Sequence, residues 1–450
     1  MTKVLFIAYF FPPVSGAGVQ RAEKFVHYLP AEGFLPVIIT ARTSSENRWT
    51  PHDRSLMNSI PPEVPIHRVE SAPPKSSSKM RNRLGRWAGV PSSFARWWIP
   101  AASELGLRVA DGELLIFTTM SPFESGEVAR RLSARLGVPW VADLRDPWAL
   151  DEMLVYPSLL HRRLEMMRMQ RLLATASLII MNTPESSRVL KATFPRLRKQ
   201  QVLTITNGFD PADFAGPVTP RTDGKFRIVH TGYLHTDNGT QLRKRRFVRL
   251  LGGAEPGVDI LTRSHTVLLD ALEQWCVQRP EVREKLEIVF AGKTSEQDRA
   301  VANVSKVAPL IKFPGFVAHH ESVALLRTAD LLFLPMHNLP AGRLSRIVPG
   351  KTYEYMAAAR PILAAVPEGD AREFLKQCGT ALICNPDDAA GMVQILDRVY
   401  SAWSRRESFL TSNHAFISQF GRPELTRTLA AAFHSLLPDN KKECECLACR

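Results

Sequence analysis

Short apolar runs alternate with amphipathic stretches along most of the chain. The apolar runs have the length of single strands. In the stretches between them apolar positions recur every three or four residues, which is the spacing of one helix face. This alternation predicts an α/β fold in which parallel sheets are covered by helices, rather than a sandwich of antiparallel strands.

The pattern forms two series. The first predicts strands at residues 4–11, 36–40, 114–118, 140–143 and 178–182, with helices at 20–29, 124–136 and 162–176. The second predicts strands at 226–231, 286–291, 311–313, 331–334, 361–364 and 381–384, with helices at 265–278, 320–327, 351–358 and 389–401. A stretch rich in Pro, Thr and Asp at 208–225 separates the two series and marks a domain boundary.

The 450 residues are too many for one ordinary core, so we predict two domains. The N-terminal domain covers residues 1–207 and the C-terminal domain residues 208–410. A helical segment at 411–437 and a Cys-containing tail at 438–450 follow. The tail contains three cysteines, Cys444, Cys446 and Cys449. Three are too few for a four-ligand structural metal site, so a disordered tail is the simpler interpretation. Buried reduced thiols are expected at Cys276, Cys378 and Cys384.

The formal net charge of +14 favours anionic partners such as nucleic acid, a phosphorylated substrate or an anionic membrane. No nucleic-acid-binding motif is present, so we expect no nucleic-acid partner. No apolar run has the length of a membrane span, and the run at 4–11 is short for a signal peptide and is needed as the first strand. We expect a cytoplasmic protein, either free or at the inner face of the membrane.

Two segments depart from a minimal alternating pattern. Residues 79–102 interleave five basic residues with aromatic ones, including Trp97 and Trp98. This composition fits either an interfacial helix on anionic lipid or a helix that buries its aromatic side chains in the core. Residues 236–261 form an insertion after a predicted strand. The basic cluster Arg243–Arg246 within it fits a solvated loop, and the alternative is contact with a phosphate or a lipid headgroup.

Candidate chemistry is densest in IVPGKTYEYMAAARPIL, residues 347–363. A Pro-Gly turn opens a helix, whose N-terminal N–H groups and dipole attract an anion, and Lys351 adds a positive charge. Glu354, about one turn along, suits neutral hydroxyl groups such as those of a ribose. The pattern therefore predicts a phosphate-and-ribose site, and the alternative is an ordinary strand-loop-helix unit.

Within this segment, PGKTYEYMA followed by RPIL resembles the donor-site signature of glycosyltransferase family four. Further landmarks resemble that family in their order along residues 3–437: KVLFIAYFFPPVSGAGVQRAEKFVHYL, VADLRDPW, NTPESS, TNGFD and HTGYLH. The resemblance implies two Rossmann-like domains facing a cleft, the GT-B architecture. It further implies acceptor binding by the N-terminal domain, donor binding by the C-terminal domain, and a terminal segment that crosses back.

The implied activity is retaining transfer from a nucleotide-diphosphate sugar, which is a co-substrate, with no cofactor and no metal. The implied catalytic residues are Arg263 and Lys351. Asp146 is a third catalytic candidate, which would position the acceptor hydroxyl or assist its deprotonation, and the alternative is that it caps the next helical segment or pairs with Arg145. The implied donor-binding residues are Gly16, Gly18, Gly232, Gly350, Thr352, Tyr353 and Glu354. The acceptor or sugar side is expected at Asp143, Arg145 and Arg346. Asp143, Arg145 and Asp146 are expected at the cleft because ligands gather at the carboxyl ends of parallel strands.

One position departs from the family pattern. Many members carry a second glutamate eight positions before the one matched by Glu354, and this chain has Arg346 there. Arg346 suits an acidic sugar or a phosphate, or it belongs to a different loop. Three hypotheses follow: a transferase acting on a polysaccharide, lipid-linked or secondary-metabolite acceptor, a nucleotide-sugar epimerase of the same fold, and a non-catalytic nucleotide-sugar-binding protein. A dehydrogenase is disfavoured because Arg21 stands at the third glycine position of Gly-x-Gly-x-x-Gly.

Overall fold

The computed structural model describes residues 1–42, 52–70, 92–112, 115–408 and 410–437. Two parallel β-sheets form the framework of these residues, one in each half of the chain. The strands of the N-terminal sheet are Thr2–Ile7 (β1), Phe34–Ala41 (β2), Ile66–Val69 (β3), Leu115–Thr119 (β4), Trp140–Leu144 (β5), Leu178–Met181 (β6) and Gln201–Thr204 (β7). The strands of the C-terminal sheet are Phe226–Thr231 (β8), Leu286–Ala291 (β9), Ile311–Gly315 (β10), Leu331–Pro335 (β11), Ile362–Ala365 (β12) and Ala381–Cys384 (β13).

Helices cover both sheets. Those of the N-terminal half are Ala17–Tyr28 (α1), Ser93–Val109 (α2), Ser125–Leu136 (α3), Leu159–Leu173 (α4) and Pro184–Thr193 (α5). Those that follow are Thr236–Lys244 (α6), Arg246–Leu250 (α7), Thr266–Gln278 (α8), Val282–Lys285 (α9), Glu296–Asn303 (α10), His319–Thr328 (α11), Lys351–Ala357 (α12), Asp370–Cys378 (α13), Ala389–Ser404 (α14), His414–Ser418 (α15) and Arg422–His434 (α16). The predicted α/β fold with two Rossmann-like sheets is confirmed.

The order of the strands places the ligand region. The N-terminal sheet runs β3-β2-β1-β4-β5-β6-β7, and the C-terminal sheet runs β10-β9-β8-β11-β12-β13. In each sheet the chain reverses its direction of winding beside the first strand, between β1 and β4 and between β8 and β11. Ligands of open α/β sheets bind outside the carboxyl ends of the strands at such switch points.

Every strand that the apolar runs predict is present, whereas β3 and β7 are not predicted. Both are edge strands, and most of their residues are only partly buried, so neither forms a continuous apolar run. The first strand also ends earlier than predicted, at Ile7. Tyr9 and Phe11 remain buried after the chain has left the sheet, so the apolar run extends beyond the strand itself.

The last helix, α16, returns to the N-terminal half. Leu429 and Phe433 are fully buried in the same cluster as Phe6 and Phe117 of the N-terminal sheet. The ring centroids of Phe433 and Phe34 lie 5.3 Å apart with the rings nearly perpendicular. Because this helix completes a core on the other side of the cleft, it links the two halves through apolar packing.

Helix α2 contains the described part of the segment predicted either to lie on a membrane or to bury its aromatic residues. Trp98 is fully buried and donates from Nε1 to the Ser125 hydroxyl at 3.0 Å, and Phe94 and Trp97 pack against the same core. These tryptophans therefore belong to the core, and the interfacial interpretation is wrong for them. Residues 79–91 lie outside the described residues. Within the described part of the chain, no helix is both long and apolar enough to cross a bilayer.

The insertion at 236–261 is largely helical, so the expectation of a loop at Arg243–Arg246 is wrong. These residues end α6 and begin α7. The insertion also contacts the N-terminal half, because Tyr156 N–H donates to the Gly253 carbonyl at 2.7 Å and Leu159 N–H donates to the Leu251 carbonyl at 2.8 Å. The cysteines expected to be buried free thiols are buried and free: Cys276, Cys378 and Cys384. The tail with Cys444, Cys446 and Cys449 lies outside the described residues.

Candidate active site

Two adjoining cavities lie between the halves of the chain, at the carboxyl ends of the strands. The first cavity has a volume of about 290 Å³ and is lined by the loops that follow β1, β8, β9 and β10. The second cavity, of about 670 Å³, lies between the loop at 145–155 and helix α6. Tyr233, Arg263 and Gly350 line both cavities, so a ligand spanning them would pass these residues.

Lys351, the first residue of α12, lines the first cavity. Its Nζ lies 3.0 Å from Nε2 of His230, whose Nδ1 lies 2.9 Å from the Phe333 carbonyl oxygen. Because Nδ1 must donate to this carbonyl, Nε2 accepts from the lysine. Burial, and then the nearby Arg263, lowers the pKa of Lys351 to about 7. An anion in this cavity would raise that pKa and stabilise the ammonium.

Glu354 lines the first cavity one turn along α12. Among the described residues its carboxylate accepts no hydrogen bond and forms no ion pair. Burial raises the pKa of Glu354, and the charges of His319 and Arg422 oppose that rise. A partly buried carboxylate with no protein donor is suited to accept hydrogen bonds from ligand hydroxyl groups.

His319 joins the two halves at the edge of this cavity. Its Nε2 lies 2.8 Å from Asp213 Oδ2, and its Nδ1 lies 2.9 Å from Nε2 of Gln20 in helix α1. Burial opposes the imidazolium, but the hydrogen bond to Asp213 and the Glu354 carboxylate outweigh it, so the pKa of His319 is raised. The carboxylates of Asp213 and Glu354 therefore favour the protonated form of His319.

Two of the predicted donor-site glycines are required by the backbone at the first cavity. Gly16, which precedes α1, has φ of 127°, and Gly232, which follows β8, has φ of 96°. A side chain at 232 would also meet Lys351, because an added Cβ would lie 3.0 Å from Nζ. Gly16 and Gly232 thus bring bare backbone to the cavity on both sides of the cleft.

The other predicted donor residues divide between the cavities and the core. Gly350 lines both cavities at the start of α12. Thr352 and Tyr353 are fully buried and line neither cavity, and the Tyr353 ring packs 5.1 Å from that of Phe420. Gly18 lines the second cavity, where an added Cβ would lie 1.4 Å from Nη1 of Arg145. The glycine at 18 thus makes room for this arginine.

Arg263 reaches both cavities and meets acidic groups in the second one. Its Nη1 lies 2.9 Å from Met153 Sδ, and Asp151, Asp146 and Glu152 oppose the lowering of its pKa by burial. Asp146 and Asp151 both line the second cavity. Burial, and then the neighbouring Glu152, raises the pKa of Asp151 to about 7. The second cavity therefore combines a cation with a carboxyl group able to exchange protons near neutral pH.

Two residues at the carboxyl end of β5 that were expected together at the cleft lie in different surroundings. Arg145 lines the second cavity, and its buried Nε has no hydrogen-bond partner among the described residues. Asp143 is fully buried, lines neither cavity and pairs with Arg21 at 2.7 Å. Arg21 also donates to the Thr206 carbonyl at 2.6 Å. The expectation that Asp143 faces the cleft is wrong, because this carboxylate neutralises a buried arginine.

The comparisons with known proteins agree with this arrangement. Residues 261–402, which include Arg263, Lys351 and Glu354, match the family described as glycosyl transferases group 1. The chain is a glycosyltransferase, and residues 261–402 are the part that resembles group 1. No curated protein sequence matches the chain.

Solved structures show the same GT-B fold as this glycosyltransferase. Sucrose-phosphate synthase from Thermosynechococcus elongatus matches with 14% identity and a TM-score of 0.66 over 97% of this chain and 99% of that one. HepE from Anabaena, in complex with UDP and glucose, matches with 17% identity and a TM-score of 0.60 over 97% and 100%. The lipopolysaccharide outer core galactosyltransferase WaaB, in its apo form, matches with 12% identity and a TM-score of 0.55 over 97% and 100%.

The glycosyltransferase uses Arg346 to connect its halves. Nη1 of Arg346 donates to the Leu150 carbonyl at 2.7 Å, and Nη2 lies 3.1 Å from Glu255 Oε1. The backbone N–H of Arg346 donates at 3.0 Å to Glu152, which also accepts from Ser345 at 2.8 Å. Arg346 lines neither cavity, so its side chain anchors the loop before α12 to the N-terminal half rather than facing a ligand.

Sequence reasoning missed three cavity residues of the glycosyltransferase. Arg422, at the start of α16, lines the first cavity with Nη1 unpartnered among the described residues, and burial lowers its pKa to about 10. The expected crossing of the terminal segment was a signal for Arg422, because its first residues must pass the cleft. His319 begins α11 and Asp151 lies in the loop after β5, and neither belongs to a motif, so no local signal identified them. The described residues contain no cluster of His, Cys, Asp and Glu side chains suited to a metal ion.

Proposed function

We propose that this glycosyltransferase moves a sugar from a nucleotide-diphosphate sugar to a polysaccharide, lipid-linked or secondary-metabolite acceptor. The first cavity would take the nucleotide and the second the acceptor. The observation that carries the proposal is the pair Lys351 and Glu354, which lie one turn apart on the first cavity and form no ion pair with a described residue. A cation beside a free carboxylate suits a ligand with both phosphate and hydroxyl groups.

The cations have a mechanistic role in this proposal. As the glycosidic bond breaks, negative charge builds on the leaving diphosphate, and fixed donors placed there lower the barrier. Lys351 and Arg263 lie close enough for each charge to affect the other, and Arg263 also lines the second cavity. We assign both to stabilisation of the leaving group, without a metal ion and with retention of configuration.

The acceptor side rests on the second cavity. Asp146 and Asp151 lie there with Arg145 and Arg263, so a sugar hydroxyl would find acceptors and donors together. We assign Asp146 to positioning the acceptor hydroxyl. We further propose peripheral contact with an anionic membrane.

The experiment that tests this function is a thermal-shift screen with UDP, GDP, ADP, TDP and CMP. A ligand at 100 times its dissociation constant adds about 2.7 kcal/mol to the free energy of unfolding. We expect one diphosphate to raise the melting temperature of the wild type and to lose that effect in Glu354→Ala. Glu281→Ala is the control, because the Glu281 side chain is 61% exposed and lines neither cavity. If no nucleotide shifts the wild type, the assignment of the first cavity is wrong.

A further inference from the structure

An outward face of helix α4 carries apolar and basic side chains together. Its sequence, LLHRRLEMMRMQRLL, contains one acidic residue, Glu165, which accepts from Trp148 Nε1 at 2.8 Å. Leu160 is 62% exposed, Leu164 51% and Met167 44%. Three or four residues separate these positions, so they form one stripe along the helix. Arg163, Arg168 and Arg171 are exposed at intervening positions.

A second apolar and basic element adjoins this helix. In helix α7, Phe247 is 80% exposed and Leu250 is 82% exposed. Residues 243–251 contain five basic residues and no acidic one. The two elements touch, because Leu159 N–H donates to the Leu251 carbonyl at 2.8 Å. Leu159 and Leu251 are themselves 45% and 46% exposed. We name the combined surface the basic-apolar face: Leu159, Leu160, Arg163, Leu164, Met167, Arg168, Arg171, Arg246, Phe247, Arg249, Leu250 and Leu251.

The basic-apolar face borders the second cavity. Arg245, at the junction of α6 and α7, lines that cavity beside Gln241 and Leu242 of α6. Leu154, which is 36% exposed and precedes α4, lines it from the other side. The second cavity therefore lies between the segment that precedes α4 and the segment that precedes α7, and these two helices carry the basic-apolar face. A surface that binds the basic-apolar face would lie next to the acceptor cavity.

We propose that the basic-apolar face docks on an anionic lipid bilayer and presents the second cavity to a lipid-linked acceptor. Exposed leucine and phenylalanine side chains among arginines match a membrane interface, where the apolar groups enter the acyl region and the cations meet anionic headgroups. A second copy of the chain fits less well, because a two-fold contact would bring like charges together. Nucleic acid would use the arginines but would leave the leucines without a partner.

Flotation with lipid vesicles tests the docking surface. The wild type is mixed at low salt with vesicles of phosphatidylglycerol and phosphatidylcholine, or of phosphatidylcholine alone. We expect flotation with the anionic vesicles only, and its loss at high salt. Leu160→Ser/Leu164→Ser and Phe247→Ser/Leu250→Ser should each weaken binding at least tenfold. Arg246→Gln/Arg249→Gln should weaken it about fivefold per charge removed.

Matched controls come from apolar side chains that are as exposed elsewhere. Val277 is 74% exposed and Val304 85%, so Val277→Ser/Val304→Ser should float like the wild type. All of these variants change exposed residues, and unchanged melting temperatures establish that they fold. A wild type that stays unbound at low salt overturns the proposal, as do apolar variants that float normally. A vesicle-independent dimer that Phe247→Ser/Leu250→Ser dissociates would assign the face to a second copy instead.

The assignment of the acceptor rests on the proposed function, and a separate measurement distinguishes the two. Nucleotide binding to the first cavity should be the same in every face variant, because none of the altered residues lines that cavity. Vesicle binding without nucleotide binding would keep the docking surface and reject the nucleotide site. Nucleotide binding without vesicle binding would keep the nucleotide site and reject the docking surface. Retention on a soluble polyanion that survives the leucine changes, without flotation, would point to nucleic acid and also overturn the proposal.

Discussion

Charged residues near the carboxyl ends of β5 and β11 differ in whether they have a partner. Near the end of β5, Asp143 pairs with Arg21 at 2.7 Å, and both side chains are fully buried. The segment that leads from β11 into α12 instead places Lys351 and Glu354 on the first cavity without an ion pair to a described residue. Both groups of residues lie at the carboxyl ends of parallel strands. Position at a strand end is therefore insufficient to identify a functional charge. The two places differ in whether a charged group of the protein already pairs with the charge.

The difference predicts opposite effects on stability. A paired buried charge stabilises the fold as long as its partner remains. A buried charge without an ion-pair partner, such as Lys351, opposes folding in its charged form. Changes at Asp143 should therefore reduce stability, whereas changes at Lys351 and Glu354 should reduce function and leave or raise stability.

The largest effect is expected for Asp143→Ala. Removing this carboxylate leaves Arg21 buried without its counter-charge, which should lower the free energy of unfolding by about 3–5 kcal/mol. Chemical denaturation checks the value. Asp111→Ala is the control, because Asp111 pairs with Lys3 at 2.7 Å but its side chain is 87% exposed. If Asp143→Ala unfolds like the control while turnover falls, Asp143 acts at the cleft after all.

The next effect concerns turnover. Lys351→Met and Arg263→Gln should each reduce turnover by about 10²–10³, because fixed cations matter most as charge builds on the leaving group. Donor affinity should fall less. Steady-state kinetics with the nucleotide sugar found by the screen measures both values. A loss of donor affinity with unchanged turnover would place the cations in ground-state binding alone.

Lys351→Met also tests the comparison through its effect on the free energy of unfolding. The folded-state pKa of Lys351 is about 7, below its ordinary value of 10.5. The unfolded chain therefore binds more protons between these pH values, and stability rises with pH across that window. At pH 7 or below, Lys351→Met should raise the free energy of unfolding by about 1–3 kcal/mol. A variant less stable than the wild type would contradict the assignment of Lys351 as a strained functional charge.

Glu354→Gln should weaken nucleotide binding by about 1.5–3 kcal/mol, because a charged acceptor of ligand hydroxyl groups is lost. Its melting temperature should stay near that of the wild type. Calorimetry with the preferred nucleoside diphosphate measures the affinity. A deoxyribose analogue is the internal control: if Glu354 meets the ribose hydroxyls, the analogue and the variant should lose affinity together, and independent losses would move Glu354 away from the ribose.

The buried strands and the loop before α12 could be predicted from the sequence, each for a different physical reason. Buried parallel strands leave continuous apolar runs, so their positions were visible, whereas the half-buried edge strands β3 and β7 were not. The loop before α12 was visible because Gly350, Lys351 and Glu354 are adjacent in the chain. Contacts between distant segments left no local pattern. The Arg21–Asp143 pair spans 122 positions, and the contact of Arg346 with Leu150 spans 196.

The smallest effect expected is the pH dependence of nucleotide binding. Because an anion stabilises the ammonium of Lys351, the bound state should take up a proton above the folded pKa of about 7, so the dissociation constant should rise up to about tenfold between pH 7 and 8. The phosphate group itself titrates near pH 6 and stays ionised in this range. His319 faces the same cavity and has a raised pKa, so His319→Gln is measured in parallel and should keep the slope. Lys351→Arg should bind with little pH dependence because its charge is permanent. If the pH dependence of the dissociation constant persists in Lys351→Arg and disappears in His319→Gln, the group that titrates is His319 and not Lys351.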